Sequence, residues 1–209
     1  MNNGLFIFGA SGHAKVVIDA VERAAREKVL FICDDAEERR GCTLMGYSII
    51  GGRAALLARA HEVRRAVVGI GDNTARIHVS DWLIERGYSF STVVHPAASV
   101  GRDVQIGDGS VVFAGCVINS GTTVGRHAIV NTAATIDHDC EIGDGVHVAP
   151  GAHLCGGVSV GPGTLVGAGS TIIPGVRIGA GVVIGAGSTV LENVPEGARV
   201  GGSPCRPLT

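Results

Sequence analysis

The stretch "ASVGRDVQIGDGSVVFAGCVINSGTTVG", Ala98–Gly125, repeats itself every six residues. Its aliphatic anchors are Val100, Ile106, Val112, Ile118 and Val124. Two residues before each stands a small or β-branched side chain: Ala98, Val104, Ser110, Cys116 and Thr122. The period continues without insertion from Val94 to Val190, seventeen anchors in succession. A six-residue period of this length is the signature of a parallel β-helix. Each hexad makes one flat side, and three hexads close one triangular coil. The two recurring positions point inward and stack coil on coil at the ordinary strand spacing of about 4.8 Å. Glycine after the anchor permits the tight corners. The period does not set the hand of the coil, although crossovers between parallel strands are normally right-handed.

Upstream of the repeat the composition changes. Seven of the eight aromatic residues and both lysines, Lys15 and Lys28, precede Ser91, and glycine is dense after it. This predicts two domains, 1–90 and 91–209, the second carrying a C-terminal tail. In the first, "GLFIFG" reads as a buried strand and "GHAKVVIDAVERAAREK" as an amphipathic helix with Val16, Val17, Ala20, Val21 and Ala24 on one side. "VLFICDD" is a second strand, "RAALLARAHE" a short helix and "RRAVVGIGDN" a third strand. A helix through Trp82 and a strand near "YSFSTVV" follow. This alternation implies a small Rossmann-like parallel sheet. Ligands of such sheets bind beyond the carboxyl ends of the strands. Those ends are "GASGH" (Gly9–His13), Asp34–Asp35 and "GIGDN" (Gly69–Asn73). The first lacks the full G-x-G-x-x-G fingerprint, so dinucleotide binding is not supported. It suits either an anion held at a helix start or a plain strand-to-helix turn.

The formal net charge of -2 and pI near 6.4 argue against a nucleic-acid or anionic-membrane partner. The opening "MNNGLFIFGASGHA" has no basic region and a short apolar run, so no signal peptide is expected, and no stretch is apolar enough for a membrane span. The six cysteines show no CxxC spacing; reduced thiols in a cytoplasm are the simplest reading.

The chain resembles the left-handed β-helix acyltransferases of bacteria, in particular the nucleotide-sugar N-acetyltransferases that acetylate sugars of the UDP-4-amino-4,6-dideoxy type. The resemblance rests on "FGASGHAKVV", on Asp34–Asp35, on "GIGDN", on "VNTAATIDHDCEIGDGVHVAPGAHLCGG" and on the ending "VPEGARVGGSPCRPL". It implies an α/β N-terminal domain followed by an all-β left-handed parallel β-helix, a homotrimer, and acetyl-CoA bound between neighbouring prisms without a metal. His138 matches the family's general base and Asp139 the acid beside it, where some relatives carry Glu. His147 matches a histidine near the acetyl group, and Gly156 the residue whose amide faces the thioester oxygen. Ala168 and Ala186 match positions whose backbones meet the pantetheine arm. Ser11, Gly12, His13, Asp34, Asp35, Gly71, Asn73 and Asn131 match substrate-binding positions. Sialic acid O-acetyltransferases share much of this layout and stand as an alternative.

The repeat offers a separate test. His138 lies two residues after Ile136 and Gly156 two residues after Leu154, so the two should stack one coil apart. A base beside an amide donor suits acyl transfer. Ala168 and Ala186 occupy matching "GAGST" hexads and should stack likewise. Either Asp139, if the corner relaxes strand alternation, or Asp137 could hold the far nitrogen of His138 and fix its tautomer. His147 and His153, six residues apart, fall on different sides of the prism. A carbonic-anhydrase-like tetrahedral metal site would therefore need ligands from another subunit. His61, His78, His95, His127 and His153 read as solvated surface residues. Cys140 occupies an inward position, so packing explains it better than nucleophilic catalysis. A non-catalytic scaffold is disfavoured by the combination of N-terminal loops and central histidines.

Overall fold

The computed structural model describes residues 4–208, which divide into two compact units after Pro96. In the first, β1 (Gly4–Phe8), β2 (Lys28–Cys33), β5 (Arg65–Val68) and β6 (Ser89–Phe90) form a parallel sheet in the order β2-β1-β5-β6. Helices α1 (Gly12–Ala24), α2 (Arg53–Ala58) and α3 (Asn73–Ile84) lie between the strands in sequence. β1 is buried along its whole length, as its unbroken apolar run requires of a central strand. Its Phe6 and Phe8 share a core with Phe31, Leu56, Leu83 and Tyr88, with Phe6 stacked on Phe31 and edge-on to Tyr88. A short hairpin of β3 (Thr43–Leu44) and β4 (Tyr47–Ser48), which periodicity does not reveal in two-residue strands, turns through Met45 and Gly46 at positive φ.

One detail departs from expectation. The buried face of α1 is Ala14, Val17, Ile18 and Val21, the i, i+3, i+4, i+7 row, with Ala20 beside it; Val16 is 40% exposed. Strand β7 (Val93–Val94) packs on α1.

The second unit is a parallel β-helix of two-residue strands on three sides, one of them stacking six strands, from Ser99–Val100 to Thr189–Val190. Register advances one coil at a time: Val117 lies on Thr135 and Thr135 on His153, while Ile118 lies on Ile136 and Ile136 on Leu154. Backbone bonds such as Thr135 N–H to Ala152 O (2.9 Å) and Asp137 N–H to Leu154 O (2.9 Å) join the coils. The anchors from Val112 to Val190 are buried. Val100, in a strand that ends its sheet, is 40% exposed because it is covered from one direction only.

The inward small position carries a second set of ties. Thr122 Oγ1 donates to Asp137 O (2.7 Å) and accepts from Cys140 N–H (3.1 Å); Ser110, Thr164 and Ser170 repeat the arrangement. Buried hydroxyls are thus satisfied by the neighbouring coil. Cys116 and Cys140 take the same role, their thiols donating to Asn131 O (2.9 Å) and Cys155 O (3.2 Å). The C-terminal segment closes the stack: Arg199–Gly201 runs parallel on Val183–Ile184, and Arg206–Pro207 folds back antiparallel. Replacing Ile172, fully buried between Leu154 and Val190, by alanine should cost about 2–5 kcal/mol in a denaturant unfolding measurement without altering the far-UV spectrum.

Candidate active site

In the first unit the strand order turns back at β1, with β2 on one side and β5 on the other, which creates a crevice beyond the carboxyl ends of β1 and β5. Two glycines make those ends close. A side chain on Gly9, at φ +109°, would meet Gly69 O at 3.0 Å, and one on Gly69 would meet Ala14 at 3.1 Å. Ser11 and Gly12 are exposed at the start of α1. His13 is half-buried and packs beside Gly71, with 3.7 Å between its Cβ and the place a Gly71 Cβ would occupy. The structure therefore brings "GASGH" and "GIGDN" together.

The two acids after β2 are engaged in local order. Asp34 accepts from Ala10 N–H (2.6 Å) and Ala36 N–H (2.9 Å), and Arg39 donates to Ala10 O across the same loop. Asp35 accepts from Arg53 N–H (3.0 Å) and pairs with its guanidinium (3.2 Å), and Gly52 is required because a Cβ there would lie 2.3 Å from the Asp35 carboxylate. Asn73 begins α3 behind the Asp72 cap, whose side chain accepts from Ala75 N–H at 2.8 Å. Sequence reasoning missed Arg76. It is 1% exposed, and its guanidinium donates to Ile70 O, Gly71 O and Asn73 Oδ1.

In the β-helix, His138 sits at the corner after the Thr135–Ile136 strand, with its side chain 63% exposed. Asp139 follows at φ +57°, a left-handed conformation that turns the corner. The turn swings its carboxylate onto the imidazole, so that Asp139 Oδ2 lies 2.8 Å from His138 Nδ1. Asp137 does something else: it accepts from His138 N–H (2.8 Å) and from Asn119 Nδ2 (2.7 Å). The first braces the ring and the second braces the backbone beneath it. Hydrogen bonding to Asp139, aided by the charge of Asp137, pushes the His138 pKa above its ordinary value of 6.5, while the Asn119 bond holds Asp137 below the usual carboxylate range.

Glycines one coil to either side make room for this pair. A Cβ on Gly121 would stand 2.6 Å from Asp139 Oδ1, and one on Gly156 would stand 2.6 Å from His138 Cε1 and Nε2. The imidazole edge therefore lies directly over the Gly156 backbone. Among the described residues no acceptor takes the N–H of Gly156, nor those of Ala168 and Ala186. Some corner amides in the same register are occupied by side chains, as at Arg126, Thr132 and His138, or removed by Pro150, Pro162 and Pro174, while those of Asp144 and Ala180 likewise meet no acceptor among the described residues. Ala168 and Ala186 are exposed and lie one above the other, with Gly187 N–H bonded to Ala168 O at 2.8 Å.

His147 stands on a different side of the prism. Its Nε2 lies 3.0 Å from Asn131 Nδ2, whose amide is oriented by Thr132 N–H donating to Asn131 Oδ1 (2.8 Å). That bond makes Nε2 the acceptor and places the ring proton on Nδ1. His153 pairs with Thr135 Oγ1 (2.8 Å), one coil below it. The structure thus separates the three histidines, and among the described residues no group of three His, Cys, Asp or Glu side chains is placed to hold a metal. Cys140 is buried beneath His138, and burial pushes its thiol pKa up, away from nucleophilic use. Two histidines expected at the surface are buried: His95 (7% exposed) and His127 (8%). His127 holds a left-handed corner at φ +54°, and the equivalent residues one coil either side, Gly109 and Gly145, have no side chain to compete for space.

Known proteins share this fold. The family described as the PglD N-terminal domain matches residues 4–83, and the bacterial transferase hexapeptide family (six repeats) matches residues 157–192. No curated protein matches the sequence. Among solved structures, the acetyltransferase domain of PglB from Neisseria gonorrhoeae FA1090 is 33% identical with a TM-score of 0.91, the match covering 99% of this chain and 100% of that one. It is also known in complex with acetyl coenzyme A. PerB from Caulobacter crescentus, in complex with CoA and GDP-perosamine, is 36% identical with a TM-score of 0.92, covering 99% and 97%. WeeI from Acinetobacter baumannii AYE is 26% identical with a TM-score of 0.88, covering 98% and 99%. If Asp139 sets the basicity of His138, the imidazole should titrate above 6.5 by NMR, and Asp139→Asn should move that midpoint to lower pH. An unmoved midpoint would assign the shift to Asp137 instead.

Proposed function

We propose that this chain, which belongs to the hexapeptide-repeat nucleotide-sugar N-acetyltransferases, acetylates the amino group of a nucleotide-linked 4-amino-4,6-dideoxy sugar by direct attack on acetyl-CoA. It is an acetyl-CoA-dependent sugar N-acetyltransferase. The observation that carries the mechanism is the His138–Asp139 pair lying over the unbonded Gly156 amide. Asp139 holds the proton on Nδ1, which leaves Nε2 with its lone pair beside Gly156. Nε2 takes a proton from the acceptor amine as its nitrogen attacks the thioester carbon. The Gly156 N–H stabilises the oxyanion of the tetrahedral intermediate, which collapses to the amide with CoA thiolate leaving.

The other residues fit the same reading. Exposed amides at Ala168 and Ala186, stacked along the coil axis, suit the carbonyls of a pantetheine arm. Asn131 orients His147 so that its Nδ1–H is the donor, suited to the acyl group of the thioester. In the first unit, the paired loops Ser11–His13 and Gly71–Asn73 suit the nucleotide's phosphates, with Asp34 and Asp35 ordering the adjoining strand end. The first unit would thus select the acceptor and the second carry out transfer. The assembly we infer is the homotrimer implied by the sequence resemblance. No helix among the described residues is long and apolar enough to cross a membrane.

His138→Ala should lower kcat about a hundred- to ten-thousand-fold in a thiol-release assay with acetyl-CoA and an amino-sugar acceptor. The wild-type rate should fall as pH drops through the raised His138 pKa, because the protonated ring accepts nothing. Retention of activity by His138→Ala would overturn the assignment of the base. Cys140→Ala should keep near-wild-type turnover; a hundredfold loss in a folded variant would point to an acyl-enzyme instead. The acceptor is tested by turnover on a UDP-4-amino-4,6-dideoxy sugar, GDP-perosamine and sialic acid. Turnover on sialic acid alone would replace N- by O-acetylation.

A further inference from the structure

Arg76 is an expensive residue to keep. A guanidinium 1% exposed gives up its hydration and must be repaid by hydrogen bonds. Burial draws its pKa down to about 10, so it is still cationic at neutral pH. Its guanidinium donates into one loop, to Ile70 O (3.2 Å), Gly71 O (3.1 Å) and Asn73 Oδ1 (2.8 Å). A surface helix with an aliphatic residue at this position would pack as well without the charge, which indicates that the loop needs the donors.

The consequence follows from the planar trans peptide, in which C=O and the next N–H point in opposite directions. Drawing Ile70 C=O and Gly71 C=O inward to the guanidinium turns the N–H groups of Gly71 and Asp72 the other way. Among the described residues neither of those N–H groups meets an acceptor. The Asn73 amide is held in the same sense, its oxygen bound to Arg76 and its NH2 directed away from that contact.

We propose that Arg76 is a positioning residue for the acceptor. Without touching substrate, it fixes the peptide planes of Ile70–Asp72 so that the N–H groups of Gly71 and Asp72 face the nucleotide sugar. The inference rests on the assignment of this loop to acceptor binding. Its signature is selective: affinity for the acceptor depends on it, while affinity for acetyl-CoA and the chemistry at His138 do not.

The test compares wild type with Arg76→Lys and Arg76→Met on a UDP-4-amino-4,6-dideoxy sugar and on GDP-perosamine, alongside melting temperature. Both variants should raise the acceptor KM about tenfold or more, with kcat and the acetyl-CoA KM within about twofold of wild type. Lysine, with one donor group on a shorter reach, should not restore the wild-type value. An unchanged acceptor KM in a folded variant overturns the role of Arg76, as does a fall in kcat that tracks lost stability with KM unmoved. Should both variants fail to fold, amide exchange on the wild-type protein decides. Saturating acceptor should slow exchange at Gly71 and Asp72, and no slowing overturns the proposal. Absence of wild-type turnover on both sugars would instead overturn the acceptor reading itself.

Discussion

The stacking of each coil on the one before it governs everything in the second unit. Because backbone bonds join residues one coil apart, as His153 N–H to Ser170 O at 2.8 Å, no residue can shift without dragging its whole column. A single long-range register thereby fixes which side chains meet. It puts Thr122 under Cys140, Asn119 under Asp137, Gly121 under Asp139 and Gly156 over His138. The His138–Asp139 pair needs no long loop to order it, since its corner is tied to the coils on both sides, by Asp139 N–H to Ser120 O (3.1 Å) and Gly157 N–H to His138 O (2.9 Å).

The rigidity has an electrostatic side. His138 is exposed, so nothing in its burial raises its basicity; two carboxylates do, and each is itself anchored. Asp137 is held by Asn119 and by the His138 backbone, and Asp139 by the corner conformation. The imidazole is thus oriented by neighbours that are themselves constrained, the condition under which a solvated base keeps one tautomer and one direction. The N-terminal unit applies the same logic with the opposite charge, since there a buried cation orders the carbonyls of a loop.

Counting in sixes was enough to place Gly156 beside His138, because that contact depends only on the backbone repeat. Choosing between Asp137 and Asp139 was not possible by counting alone, since the answer lay in one φ angle. A signal was present, however. Gly145, Gly151 and Gly157 occupy the corner position in the following hexads, which marks Asp139 as a corner residue. Val16 was misplaced because valine reads as core by residue type, although it lies on the polar face of α1 in line with Asp19 and Arg23. Arg76 was invisible because an arginine in a helix reads as solvent-facing, and its burial is a tertiary fact. The burial of His95 and His127 is of the same kind.

The left-handed corners carry a cost that the chain accepts in one place above all. Glycine fills that position at every corner from Gly145 to Gly187, yet one full circuit of the prism uses His127, Ala133 and Asp139 instead. Such backbones disfavour L side chains by roughly 1–2 kcal/mol, somewhat less for aspartate. At Asp139, then, selection for durability and selection for turnover pull in opposite directions. Glycine would relax the coil and, on the proposed mechanism, remove the carboxylate that braces the His138 imidazole in a single substitution. A search for hardier versions of this protein that followed the pattern of its own repeats would converge on that change, and would trade the braced imidazole for a more stable prism.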